Sequence, residues 1–305
     1  MLDILTRITA LFWLLPRRDR MEYHYQFADI GFQVRGSQKE LYTNHGVLIT
    51  FFVDGVLENP YILSVALKEE LTSPSGICLY HDTGKQIFQQ DSCVVRYLGN
   101  PGANHMRICQ QGISSQIECL RSAYPAGITP KTILNAMEAE HRIVQHHGVI
   151  LHASFICVEG KAILFTAPSG TGKSTQASLW CNERNASLIN GDRAAIIVEN
   201  DHIFACGIPF SGSSGVSKSA KLPLAAIVYL SQAKENICDE LTGLKAFRKV
   251  WEGCSVNVWD KNDLSVASDT VMKIVEKVSV FHFACRPDRE SVDVLYATLS
   301  DRRCL

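Results

Sequence analysis

The sequence lacks several features that would each point to a function. No CxxC pair occurs among its eleven cysteines, so the usual zinc-knuckle and thioredoxin-type spacings are absent. No stretch approaches the ~20 apolar residues of a spanning helix, which argues against stable membrane insertion of that kind. An excess of one charge is missing as well: 30 Lys and Arg stand against 31 Asp and Glu, for a net charge of −1. Such a balance excludes a strongly basic nucleic-acid binder that works by phosphate neutralisation. Internal repeats and low-complexity tracts are absent too. With 46% apolar and only 20% charged residues, a disordered main state is excluded. Several cysteines lie inside apolar runs, as in Phe204-Ala205-Cys206 and Phe283-Ala284-Cys285, where a thiol acts as a small hydrophobe. A reducing cytoplasm is the expected location.

What is present falls into three parts. Residues 1–20 place Leu2, Ile4, Leu5, Ile8, Leu11, Phe12 and Leu15 near the helical period. Asp3 precedes any base and Arg7 interrupts the run, so the pattern predicts a short docking helix rather than a signal peptide. Residues 21–125 read as a β-rich accessory or substrate domain. Runs such as 46–53 are expected as strands of a small, largely antiparallel sheet, separated by Asp54-Gly55, Pro74-Ser75-Gly76 and Asp82-Thr83-Gly84 turns. Residues 126–305 change grammar. Pro130 to His147 predicts one helix ended by Gly148, followed by strands at 149–158, 162–166, 186–189 and 224–230. A hairpin is expected around Asn200-Asp201, and helices over 270–278 and 289–299 flank a strand at 280–284. Strands alternating with helices predict an α/β domain with a mixed or parallel sheet.

The dominant motif is Ala167-Pro168-Ser169-Gly170-Thr171-Gly172-Lys173-Ser174-Thr175, a P-loop with Ala167 at the position usually held by glycine. An apolar strand enters it and a helix leaves it. Small residues let successive backbone N–H groups converge on phosphate oxygens, so Ser169, Gly170, Thr171, Gly172, Lys173, Ser174 and Thr175 are the candidate nucleotide-binding residues. Lys173 is expected to reach the β and γ phosphates and Ser174 to offer its hydroxyl to Mg²⁺. Ala167 fits only if its φ is negative.

Downstream, Ile189-Asn190-Gly191-Asp192-Arg193 ends a short strand. Asp192 stands where a second metal-coordinating group belongs, although a simple turn acid would look the same. His152, on the strand before the P-loop strand, could meet the transferred phosphoryl or be a satisfied core histidine. Residues 207–218 form a Ser/Gly loop long enough to close over a nucleotide or acceptor, with Lys218 or Lys221 adding positive charge.

These segments together resemble the P-loop superfamily of HPr serine kinases and ATP-dependent phosphoenolpyruvate carboxykinases, and within it the HPr-kinase-related proteins of bacterial gene clusters. The resemblance runs over roughly 148–299, through Gly148-Val149-Ile150-Leu151-His152-Ala153-Ser154, the P-loop with Thr175-Gln176-Ala177-Ser178-Leu179-Trp180, Asn190-Gly191-Asp192, Gly207-Ile208-Pro209-Phe210-Ser211-Gly212 and 223–230. It implies a P-loop kinase domain of that type behind the β-rich domain. His152 falls on the family's histidine and Asp192 on the second of its two acids, while Gly191 replaces the first. The protein-recognition helix and phosphorolysis loop of true HPr kinases find no counterpart.

The expectation is therefore an ATP- and Mg²⁺-dependent kinase with His152, Lys173 and Asp192 as catalytic residues and Ser174 and Asp192 as metal ligands. Its acceptor is a hydroxyl, first a serine of a peptide or small protein, second a small hydroxylated metabolite. A nucleotide-gated binding or scaffold protein with little turnover is the other class of answer. Self-association is compatible with all three, and no nucleic-acid partner is expected.

Overall fold

The structure, a computed structural model, describes residues 22–36, 46–100, 102–124 and 130–305. The helix expected over 1–20 lies outside them. The chain divides into two compact units, residues 1–26 with 31–137, and residues 27–30 with 138–305.

Among the described residues before 121, eight strands in one sheet account for most of the regular structure. They are β1 (Glu22–Phe27), β2 (Ile30–Gly36), β3 (Tyr61–Lys68), β4 (Ile77–His81), β5 (Lys85–Gln90), β6 (Cys93–Asn100), β7 (Ala103–Gln111) and β8 (Ser114–Leu120). Their order is β1-β2-β3-β8-β7-β6-β5-β4. The sheet is larger than the sequence suggests, and β3 pairs in parallel with both β2 and β8. Residues 46–53 hold a correction: a strand is expected there, but Gly46–Ile49 is a single helical turn, α1. It carries Leu48 into the core ahead of Phe51, both nearly solvent-free. A short apolar run fits helix or strand equally well until burial decides.

The helix expected over 130–147 is two, α2 (Pro130–Ala136) and α3 (Ala139–Gln145). Glu138 lies between them at φ 54°, a left-handed conformation unusual for a non-glycine residue. Its buried carboxylate accepts a 2.5 Å hydrogen bond from the buried Arg142 guanidinium. A charge so deeply buried needs such a partner.

From Gly148 a second sheet of nine strands takes over: β9 (Gly148–Val158), β10 (Lys161–Thr166), β11 (Ser187–Asn190), β12 (Arg193–Glu199), β13 (His202–Cys206), β14 (Lys221–Gln232), β15 (Ile237–Leu241), β16 (Cys254–Ser255) and β17 (Ser279–Cys285). β10 pairs antiparallel with β9 and parallel with β14, which continues in parallel to β17. Helices α4 (Lys173–Arg184), α5 (Gly243–Trp251), α6 (Lys261–Lys277) and α7 (Arg289–Asp301) complete the unit. Strand β15 and helix α5 have no sequence forecast, and α6 starts nine residues before the expected helix.

Alternation along each strand feeds two cores. Leu151, Ala153, Leu164, Ala194 and Ile196 pack in one cluster with Ala246, Val250, Ala267, Val271 and Ile274 of α5 and α6. Ile163, Phe165 and Phe281 pack in the other with Ala177 and Trp180 of α4 and Leu295 of α7. Both faces of the central strands are thus buried, which is why they read as continuous apolar runs. Two helix starts carry side-chain caps: Asp260 accepts from Asn262 and Asp263 N–H, and Asp288 accepts from Ser291 N–H.

All eleven cysteines are free thiols. Among the described residues, no helix is long and apolar enough to cross a membrane. Phe165 is fully buried with its ring centroid 6.1 Å from that of Trp180. Phe165→Ala should cost about 3–5 kcal/mol, read by denaturant unfolding followed through tryptophan fluorescence; a loss below about 1 kcal/mol would contradict this account of the core.

Candidate functional site

The loop between β10 and α4 carries the first part of the site. Gly172 is the N-cap of α4 at φ 121°, and no side chain caps the first helical turn. A β-branched or bulky residue would be strained at that φ, so glycine is required. The first-turn N–H groups keep their partial positive charge for a ligand. Ala167 stays outside the positive-φ region, the condition its methyl group imposes. Ser169, Gly170, Ser174 and Thr175 are exposed, and Thr171 and Gly172 half-buried.

Lys173 folds back on this loop. Its Nζ donates to the Ala167 carbonyl at 2.9 Å and the Pro168 carbonyl at 3.3 Å, and the residue is only 8% exposed. Burial pulls its ammonium pKa below the ordinary lysine value, while the charge of Asp192 pushes the other way. Among the described residues, no carboxylate lies within ion-pair distance of it. A buried cation held only by carbonyl dipoles is costly, and an anionic ligand would relieve that cost.

The second part is set by register between β9 and β12. Arg193 pairs with His152, and Ala194 with Leu151. Because Leu151 and Ala153 face the α5–α6 core, alternation turns His152 to the other face beside Arg193. Asp192 just precedes β12, and its carbonyl accepts from Ala153 N–H at 2.9 Å. His152 Nε2 lies 3.5 Å from Asp192 Oδ1, and Arg193 Nε lies 3.5 Å from Asp192 Oδ2. Hydrogen bonding with His152 holds the Asp192 carboxyl below the usual aspartate value, with Arg193 and Lys173 adding to the effect against the cost of burial.

Asn190, fully buried, fixes this turn. Its amide oxygen accepts from the Asp192 and Arg193 N–H groups at 2.9 and 3.0 Å. Its amide nitrogen donates to the carbonyls of Ile208 and Phe210 at 3.1 and 2.6 Å. The 207–218 loop is thereby tied to the turn that carries Asp192, and Ser217 Oγ and Lys218 N–H reinforce the tie through Ile208 O and Ile189 O. Packing also dictates the glycine at 191. A β-carbon at Gly191 would lie 2.4 Å from Ser214 Cβ and 2.2 Å from its Oγ, so no side chain fits. Lys221, expected near the phosphates, is instead engaged by Glu199 at 2.6 Å and by the Phe204 ring.

A cavity of about 360 Å³ opens at this point. His152 and Arg193 form one side, Thr166, Ala167 and Pro168 another, and Tyr229 with residues 252–255 close it. Arg193 donates to Ser255 Oγ at 2.8 Å and lies 4.8 Å from the Phe210 ring centroid, while its buried Nε makes no hydrogen bond. Burial pushes the thiol of Cys254 up to about 12, which favours its protonated form. Sequence reasoning missed Asn190, Arg193 and Glu252. A polar residue at the head of an apolar strand is the signal that could have found Arg193; Glu252 reaches the cavity only through tertiary pairing of β16 with β9.

Residues 132–290, just over half of the chain, match the family described as SynChlorMet cassette protein ScmC, and the chain belongs to that family. No curated protein matches the sequence. The solved structure of the Hpr(Ser) kinase/phosphatase from Coxiella burnetii is similar at a TM-score of 0.30 and 12% identity, over 50% of this chain and 95% of that one.

Two outcomes test the site geometry. Gly191→Ala should destabilise by about 1–3 kcal/mol through overpacking against Ser214, and Ser214→Gly in the same chain should restore most of the loss in a double-mutant cycle. Additive effects would show that the two residues do not touch. Because the folded pKa of Asp192 is depressed, its stabilisation is fully present above the unfolded value near 3.8 and is lost as pH falls through the folded one. Asp192→Asn should therefore flatten the stability–pH curve below 3.8, as measured by thermal melts across acid pH.

Proposed function

We propose that this ScmC-family protein is an ATP-dependent kinase that transfers the γ-phosphoryl group to a hydroxyl. The observation that carries this reading is the buried Lys173 ammonium, held by carbonyls alone at the head of an uncapped helix, with Asp192 near enough to influence its pKa. The donor set suits a nucleoside triphosphate: loop N–H groups and Lys173 for the phosphates, and exposed Ser174 with Asp192 for Mg²⁺. When bound, Mg²⁺ would neutralise charge on the phosphate oxygens.

The chain's own residues supply the rest. Lys173 would leave the Ala167 and Pro168 carbonyls and stabilise charge on the transferring group. Asp192, ionised and oriented by His152, would accept the acceptor's hydroxyl proton. Arg193 would help hold that carboxylate and face whatever enters the cavity. Since phosphoryl transfer is mainly positioning and electrostatics, one acid is enough where Gly191 leaves no room for a second.

The acceptor is a serine of a peptide or small protein, on the strength of the sequence resemblance. A small hydroxylated metabolite is the second reading, favoured by the 360 Å³ cavity, which lies at the low end of small-molecule pockets. Incubating the protein with γ-labelled ATP and size-fractionated host extract separates them: label in polypeptide supports the first, label in small molecules the second. ATP binding with no labelled product would leave only a nucleotide-gated binding protein. Asp192→Asn should lower transfer about a hundredfold while ATP still binds, whereas Lys173→Met should weaken ATP binding itself. Unchanged transfer in the Asp192 variant, measured as ADP and labelled product, would refute the assignment.

A further inference from the structure

The loop seated on Asp192 carries a serine of its own, and its surroundings are unusual for a surface turn. Ser214 is exposed, yet its hydroxyl abuts the backbone of Gly191, the residue before Asp192. Two residues earlier in the loop, a β-carbon at Gly212 would lie 2.6 Å from Asp192 Cβ and 3.0 Å from its Oδ1. The loop therefore rests directly on the carboxylate. Ser214 Oγ donates to Ser211 O at 2.7 Å and accepts from Val216 N–H at 3.2 Å, both inside the same loop.

The span is anchored at both ends. Asn190 holds Phe210 O on one side, and Ser217 Oγ with Lys218 N–H hold the other. Between the anchors, Gly212 at φ 53° and Gly215 at φ 66° flank Ser214, and a β-carbon at Gly215 would meet nothing within 4 Å. Two glycine pivots around a tethered hydroxyl allow local rotation without release of the loop. A group tethered in this way has an effective concentration far above that of a free acceptor.

From this arrangement we infer that Ser214 is an internal phosphoryl acceptor: the protein phosphorylates itself there in cis, using the nucleoside triphosphate of the site. This inference rests on the kinase reading above. In the step, Ser214 Oγ gives up its hydrogen bond to Ser211 O and forms a bond to the γ-phosphorus. The bond from that phosphorus to the β,γ-bridging oxygen breaks, its electron pair leaves with the nucleoside diphosphate, and the hydroxyl proton passes to Asp192. The product is phosphoserine, with no net oxidation or reduction. A phosphoserine would lose the hydroxyl proton that Ser214 now donates to Ser211 O, and with it the bond that holds the side chain in its seat. Its added charge beside Asp192 would also repel that carboxylate, so the modified loop must lift from the turn. Self-modification would thus change access to the same site that performs it.

The test uses the full chain with magnesium and ATP, read by intact mass, phosphopeptide mapping and released ADP, with ATP binding measured in parallel. The wild type should gain one phosphoryl group on Ser214, at a rate per molecule independent of protein concentration. Ser214→Ala should lose the label while still binding ATP, and Ser214→Thr should carry it as phosphothreonine, which guards against a folding defect in the alanine variant. Asp192→Asn should slow labelling about a hundredfold. Label on any other residue, or a rate that rises with protein concentration, would overturn the inference. An unlabelled protein that still phosphorylates a component of host extract would overturn it and leave the kinase reading standing. A protein that binds no ATP would remove both.

Discussion

Asn190 uses all four hydrogen-bonding positions of one buried amide, two toward the Asp192–Arg193 backbone and two toward the carbonyls of Ile208 and Phe210. The rest of the site depends on this. Without it, the turn that aims Asp192 and the loop that rests on it would be left with the Lys218 N–H to Ile189 O bond as their backbone tie. Four satisfied bonds also remove the penalty of burying polar backbone at a place where neither helix nor sheet pairs it. Aspartate could not replace it, because an ionised carboxylate has no N–H to give Ile208 and Phe210.

A contrast between polar satisfaction and deliberate shortfall runs through the second unit. Asp263, fully buried, is surrounded by His141, Gln145 and Asn257, all within hydrogen-bonding distance. That network is a closed structural device. Lys173 is different: its buried ammonium has only carbonyl partners, whereas Arg193 has the Asp192 carboxylate 3.5 Å from its Nε. Stable cores seldom leave cationic groups in that condition, whereas sites that receive anions do. Lys173 donates to the carbonyls of Ala167 and Pro168, which line the cavity together with His152 and Arg193.

Much of this was legible in the sequence where the physics is local. The strand–loop–helix at 161–184 depends on neighbouring residues only, as does the Asn200-Asp201 turn of the β12–β13 hairpin. Strand positions on both sides of the 167–175 loop were readable because a strand buried on both faces is continuously apolar. Elsewhere local signals ran out. The 46–53 run has strand composition but forms a helical turn to bury Leu48, and the 130–147 helix breaks at Glu138, whose φ is 54°. Strand β15 is half polar because it is an edge, and nothing in its pattern announces its pairing with β17.

The sequence by itself determined the phosphate-type loop, the cation at its head, and an acid about twenty residues beyond it, because short spacings fix those residues to one loop and one turn. Tertiary structure alone decided that His152 meets Asp192, that Ser214 fills the space denied to residue 191, and that residues 252–255 wall the cavity. These are contacts between segments far apart in the chain. Strand register and loop anchoring set them, and neither quantity is encoded in any single stretch of residues.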